Sequence, residues 1–382
     1  MKDSPVDSVA TPKVAIDWYR STPWWRFASQ TIVISWRSTH LLLCAAGLLL
    51  TQFWVSGSHW IFDRSSPAPN WTSSSLSTSL MRSSTETPEI VWRHFIDPVL
   101  QWLSNPTLTG AAHALASMLG IIAIWSLVGG CLSRRSVVEL GTRMTAPWTE
   151  CFKLVVQRWQ SIAWSVTMPS GLILLLALLP LGLGWLSNIP FVGMWLAGLL
   201  MIPVVFLAIG IGWCAAISLF GFSLSVCSVV TEKGADAYDG ISRSAAYTFQ
   251  RPLTLALCIA VAQFLSMVGG TMLSLVLTTG QGVVEAGFDI GSTTSIKELD
   301  SMWGPVLRGI VPLLLTAYGF SFFWTASAAS YLILRRDVDH AEYDLIDMGN
   351  AEIKPLPELP KRPSLSNSTP STNTELPENT AE

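Results

Sequence analysis

The stretch VGMWLAGLLMIPVVFLAIGIGWCAAISLFGFSLSVCSVV, residues 192–230, runs for 39 residues without an Asp, Glu, Lys or Arg. As one helix it would be about 58 Å long, nearly twice the ~30 Å hydrocarbon core of a bilayer. It is either one crossing with an extension or two crossings, and that choice sets the topology of everything after it. Working outward, further apolar runs lie at 38–58 (STHLLLCAAGLLLTQFWVSGS), 110–130, 162–186, 253–279 and 306–334.

Charge decides the question. Five Lys/Arg precede the first run (Lys2, Lys13, Arg20, Arg26, Arg37) and five lie in 131–161 (Arg134, Arg135, Arg143, Lys153, Arg158). Three more occupy 231–252, and Arg335 and Arg336 directly follow the last run. The 187–191 link carries none, 280–305 only Lys297, and the long 59–109 loop three. Basic residues gather on the cytoplasmic side, so these segments alternate only if the 192–230 run crosses once, at about 203–230. The expectation is an all-α, polytopic bundle of about six transmembrane helices with both termini in the cytoplasm.

Composition agrees. Half of the 382 residues are hydrophobic and 13% are charged, against about a quarter charged in ordinary soluble domains. Net charge is −3, and no Lys/Arg block with interleaved aromatics marks a nucleic-acid surface. The first 30 residues lack the short apolar core of a secretory signal, so 1–37 reads as a cytoplasmic segment with interfacial aromatics. The 18 tryptophans cluster near span ends, where amphipathic indoles favour the headgroup level. The six cysteines, at 44, 131, 151, 214, 227 and 258, form no metal-ligand spacing and avoid the external loops, which argues against structural disulfides.

Outside the spans, the external loop 59–109 carries a Ser/Thr/Pro-rich stretch, 64–88, too polar to order itself, followed by a short interfacial helix near 90–102. The cytoplasmic tail 335–382 is expected to be largely disordered from about 350.

Two cytoplasmic elbows hold the most patterned polar sequence. In 131–160, Val137, Leu140, Met144, Trp148, Phe152, Val155 and Trp159 recur at helical spacing, with a break near Pro147. In 234–251, Tyr238, Ile241, Ala245 and Phe249 share a face, Asp236 suits the first turn, and Pro252 ends the helix. Both read as amphipathic elbow helices. Overlaid at an offset of 93, they pair Glu139 with Glu232, Gly141 with Gly234 and Gln157-Arg158 with Gln250-Arg251, which suggests a parallel internal repeat.

The blocks IWSLVGGCLSRRSVVEL, GADAYDGISRSAAYTFQRP and SYLILRRDVDHAEYDL resemble those of an uncharacterised family of planctomycete multi-pass membrane proteins, across roughly residues 90–345. More distantly, the acidic–Ser–Arg elbow is similar to the membrane domain of some bacterial glycerophosphodiester phosphodiesterases. The resemblance implies a bundle in the bacterial inner membrane and brings no activity or catalytic residue with it.

Candidate chemistry is sparse. Gly221-Phe-Ser223-Leu matches a short intramembrane serine protease motif but needs a base in a later span, and the one later histidine is His340. His40, His59, His94 and His113 form no metal motif. Asp337, Asp339, Glu342 and Asp344 read as a solvated cap beside Arg335 and Arg336. Ionisable residues are missing at mid-depth in the spans, where ion-coupled transporters carry them.

The reading is therefore a non-enzymatic membrane protein with no cofactor, metal or catalytic residue, structural or accessory in role, working through lipid headgroups or a protein partner. Arg134, Arg135, Arg158, Arg243 and Arg251 are its candidate contacts, each cationic contact with anionic lipid contributing about 1 kcal/mol. The alternative is a permease component for an uncharged or amphiphilic solute.

Overall fold

The computed structural model describes residues 23–62, 102, 107–189, 192–291, 296–344 and 346–347. Among these there is no strand, and six helices are long and apolar enough to cross a membrane. In chain order the helices are α1 (Pro23–Ser35), α2 (Ser38–Phe62), α3 (Leu108–Thr142), α4 (Trp148–Ser187), α5 (Val192–Ala216), α6 (Phe222–Thr231), α7 (Ala237–Gln250), α8 (Pro252–Gly291) and α9 (Ile296–Asp339). The expected stretches 64–88 and from 350 onward lie outside the described residues, as does all of the 90–102 helix except Trp102.

The 192–230 run forms one helical rod. α5 passes through a π-helical turn, Ile217–Gly221, directly into α6, and Gly198–Thr231 is the segment fit to span. A backbone in lipid has to satisfy its own hydrogen bonds. A π turn absorbs one extra residue without releasing them to solvent.

The core lies where α2, α3, the start of α4, α6 and α9 meet, around Cys44, Ile121, Leu132, Val155, Val226 and Phe320. Trp125 stacks on Phe320 with centroids 4.3 Å apart. Trp324 lies so close over α3 that a Cβ on Gly129 would come within 2.4 Å of its ring. α4 and α5 behave differently. Beyond Ile162 they pack mainly on each other and leave Leu174, Leu178, Trp185, Trp195, Leu199 and Phe206 exposed. A surface apolar on every side is suited to lipid, and Pro169, Pro180 and Pro203 sit inside these helices.

The described part of the N-terminal segment, from Pro23 on, packs against the bundle. α1 packs along α9; Phe27 meets Tyr343, in the chain just past α9, edge-on at 4.9 Å, and Trp36, directly after α1, meets Tyr318 of α9 at 6.4 Å. The Ser321 hydroxyl donates to the Ser35 carbonyl at 3.0 Å.

The first elbow corrects the expectation of a separate helix over 131–160. Residues 131–142 continue α3 and residues 148–160 begin α4, with the break at 143–147. α3 stops on Arg143 in the left-handed region (φ 63), and Pro147 precedes the first turn of α4. The second elbow is a separate helix. Gly234 turns the chain at φ 69, Asp236 caps α7 by accepting from the Asp239 N–H at 2.9 Å, and Pro252 starts α8. Position 252 falls opposite Trp159 in the 93-residue register. Proline lacks the N–H that would extend a helix and drives the preceding residue out of helical geometry, and Arg251 accordingly sits at φ −131, ψ 54.

Candidate functional site: the charged end of the bundle

The five candidate arginines all lie at one end of the bundle, but the structure divides their roles. α6 ends there with carbonyls that have no helical partner and carry the negative pole of the helix dipole. Arg158, on α4, donates through Nη1 to Val229 O at 2.9 Å and Glu232 O at 2.6 Å. Arg134, on α3, donates to Val230 O at 2.9 Å and to the Asp347 carbonyl. Its residue is 5% exposed. Arg134 and Arg158 therefore do not face headgroups: they close the end of a neighbouring helix.

The chain after α9 is the second half of this closure. The backbone turns at His340 (φ 54) and folds back. Ile346 is buried against Gly141, where a Cβ would lie 2.5 Å from the Ile346 Cδ1 and from Tyr343 O. The Asp347 N–H donates to Thr231 O at 3.2 Å, and its carboxylate stands 3.5 Å from Arg158. The tail expected to be largely disordered thus begins as an anchored strap through residue 347.

Glu232 is the second hub. It accepts from the Tyr331 hydroxyl at 2.9 Å, lies 2.8 Å from Arg335 Nε and 3.6 Å from Arg243. Arg243, on α7, also meets Asp339 at 3.2 Å, and the Tyr247 hydroxyl donates to the same carboxylate. Asp339, read as part of a solvated cap, is thus tied to α7. Burial, then donation to Asp339, pushes the Tyr247 phenol well above its ordinary range. For Arg243 burial works downward, but Glu232 and Tyr247 outweigh it and the guanidinium is held above its usual value. Charges taken out of water need this density of partners, because an unpaired one costs several kcal/mol.

A third group ties α1 and α2 to α3. Arg37 grips Glu139 with both terminal guanidinium nitrogens, Nη1 donating to Oε2 at 2.7 Å and Nη2 to Oε1. Arg26 donates to Leu140 O at 2.8 Å; burial, then the nearby Arg143, lowers its pKa. Arg135 stacks 4.3 Å over Trp148, which also meets His40 edge-on at 5.4 Å. Of the five candidates, Arg251 alone is classed as exposed. Arg143, Lys153, Lys233 and Arg336 are exposed as well.

Among the described residues no group of three or more His, Cys, Asp or Glu is placed to hold a metal ion. At the opposite end of the bundle His59 and His113 meet edge-on at 5.4 Å, and Ser58 Oγ lies 3.1 Å from His113 Nδ1. His94 lies outside the described residues, and Ser223 is buried in α6. The sequence displays which side the arginines occupy. It does not display that Arg134 and Arg158 turn inward, because their acceptors are backbone carbonyls and leave no trace in residue type. No family model, curated protein or solved structure matches the chain.

Proposed function

We propose that this chain is a non-enzymatic, structural or accessory protein of the bacterial inner membrane, with its charged end and both termini in the cytoplasm. The reading rests on one observation: at the charged end Arg134, Arg158, Arg243 and Glu232 are matched to partners within the chain and join α3, α4, α6, α7, α9 and the strap. Such a cap suits a fixed scaffold better than a reaction centre, which needs groups aimed at a substrate. The bias of Lys and Arg supports the orientation, and the resemblance to bacterial multi-pass proteins supports the compartment.

Headgroup or partner contact then falls to the exposed cations Arg143, Lys153, Lys233, Arg251 and Arg336, with Arg251 kept from the sequence reading. Replacing Arg143, Lys153, Lys233 and Arg251 together with Gln is expected to weaken association with anionic vesicles while the fold persists. Unchanged association would remove the contact role. Orientation is tested separately with Ser242→Cys, an exposed site on α7; labelling by an impermeant reagent outside intact cells would overturn it. The alternative, a permease component for an uncharged or amphiphilic solute, is favoured by one observation, an apolar cavity beside α1.

A further inference from the structure

A cavity of about 770 Å³ opens between α1, α8 and α9. Most of its wall is apolar, including Leu257, Ala262 and Ala326, while Arg336, Asp337 and Tyr343 stand at one end. Leu257 is 64% exposed although it lines the cavity, so the space is open sideways along α8. On α9 the lining runs from Phe322 to Asp337, a rise of about 22 Å at 1.5 Å per residue. One leaflet with its headgroup layer is about as thick, ~20 Å. The charged end of the cavity is therefore at headgroup level and its apolar part extends toward mid-membrane.

We propose that this cavity binds one phospholipid from the leaflet at the charged end, with an acyl chain along α8 and α9 and an ethanolamine headgroup at the mouth. Charge selects the occupant. Arg336 and Asp337 are adjacent, exposed and opposite in sign, which matches a phosphate beside a primary ammonium. Arg336 is steadied over the Tyr343 ring at 4.9 Å, leaving its guanidinium edge for phosphate oxygens. A trimethylammonium has no N–H to donate to the Asp337 carboxylate, and a glycerol headgroup brings no positive charge to it. The proposal does not depend on which side of the membrane the charged end faces.

The test uses the full chain in mild detergent, with dioleoyl phosphatidylethanolamine, phosphatidylglycerol or phosphatidylcholine added and bound lipid counted by native mass spectrometry. One ethanolamine lipid is expected to be retained in preference to the other two. Arg336→Gln should lower retention about fivefold, the worth of one cationic lipid contact. Asp337→Asn should abolish the preference for ethanolamine over glycerol headgroups, and Ala262→Phe, which fills the apolar part, should remove the lipid. The two mouth variants alter exposed side chains and remain readable even if Ala262→Phe misfolds. Equal retention of all three lipids by the unaltered chain would overturn the proposal, as would full retention by a folded Ala262→Phe variant. So would a gain in retention on deleting residues 1–22, which would make that segment the occupant.

Discussion

The two elbows begin alike and end differently. Each follows an inward-packed helix, α3 or α6, and each turns on a left-handed residue, Arg143 or Gly234. Each also carries a carboxylate gripped by arginine, Glu139 by Arg37 and Glu232 by Arg335 and Arg243. After the first turn the chain enters one 40-residue helix, α4, whereas after the second it makes the 14-residue α7, breaks, and begins α8. At the 93-residue offset the corresponding positions are Trp159 in the first and Pro252 in the second. Pro252, which lacks an N–H, stands where α7 ends and α8 begins.

The largest effect should come from the arginine that ties the end of α6 to the strap. Arg134 holds the end of α6 and the strap together, so Arg134→Met takes this donor away from the Val230 and Asp347 carbonyls. A loss of about 3–4 kcal/mol is expected, read as a lower unfolding midpoint in detergent. Trp159→Pro tests the register directly. It should break α4 as Pro252 separates α7 from α8, at a cost of about 3 kcal/mol, and spin labels on either side should report a kink absent from the parent. No change in the distance between labels would sever the analogy.

Gly240 tests why the second elbow helix lies where it does. A Cβ there would come within 2.8 Å of Val229 and 2.9 Å of the Ser225 hydroxyl, since the helices pack through small residues. Gly240→Leu should destabilise by about 2 kcal/mol, and its counterpart Pro147→Leu in the first elbow by less. The smallest change should have the opposite sign. Arg143 is exposed and holds a left-handed conformation that glycine adopts without penalty, so Arg143→Gly should stabilise by about 0.5–1 kcal/mol. A loss of stability instead would show that the Arg143 side chain contributes something its exposure does not reveal.

The spans, the single crossing of 192–230 and the break at Pro252 were legible because each follows from a one-dimensional quantity: apolar length, Lys/Arg count, or a missing N–H. Three features were not. Arg134 and Arg135 are neighbours in sequence, yet the first turns into the bundle and the second stacks on Trp148; helical phase relative to unseen neighbours separates them. α1 follows a charged, aromatic stretch that matches an interfacial segment until Phe27 is seen against the strap and Ser35 against α9. The strap escaped because YDLID beside a Pro-rich tail has the composition of a solvated terminus, and only Gly141, small enough to admit Ile346, makes room for it.

Arg134 and Asp347 are separated by 213 positions, which has a consequence for biogenesis. A chain emerging from the ribosome and entering the membrane helix by helix carries Arg134 in its second long helix, well before Val230 or Asp347 has been made. A chain that stops short of residue 347 keeps the guanidinium without the Asp347 carbonyl. Insertion can proceed segment by segment, but both acceptors of the Arg134 guanidinium are in place only when the residues after the last span arrive.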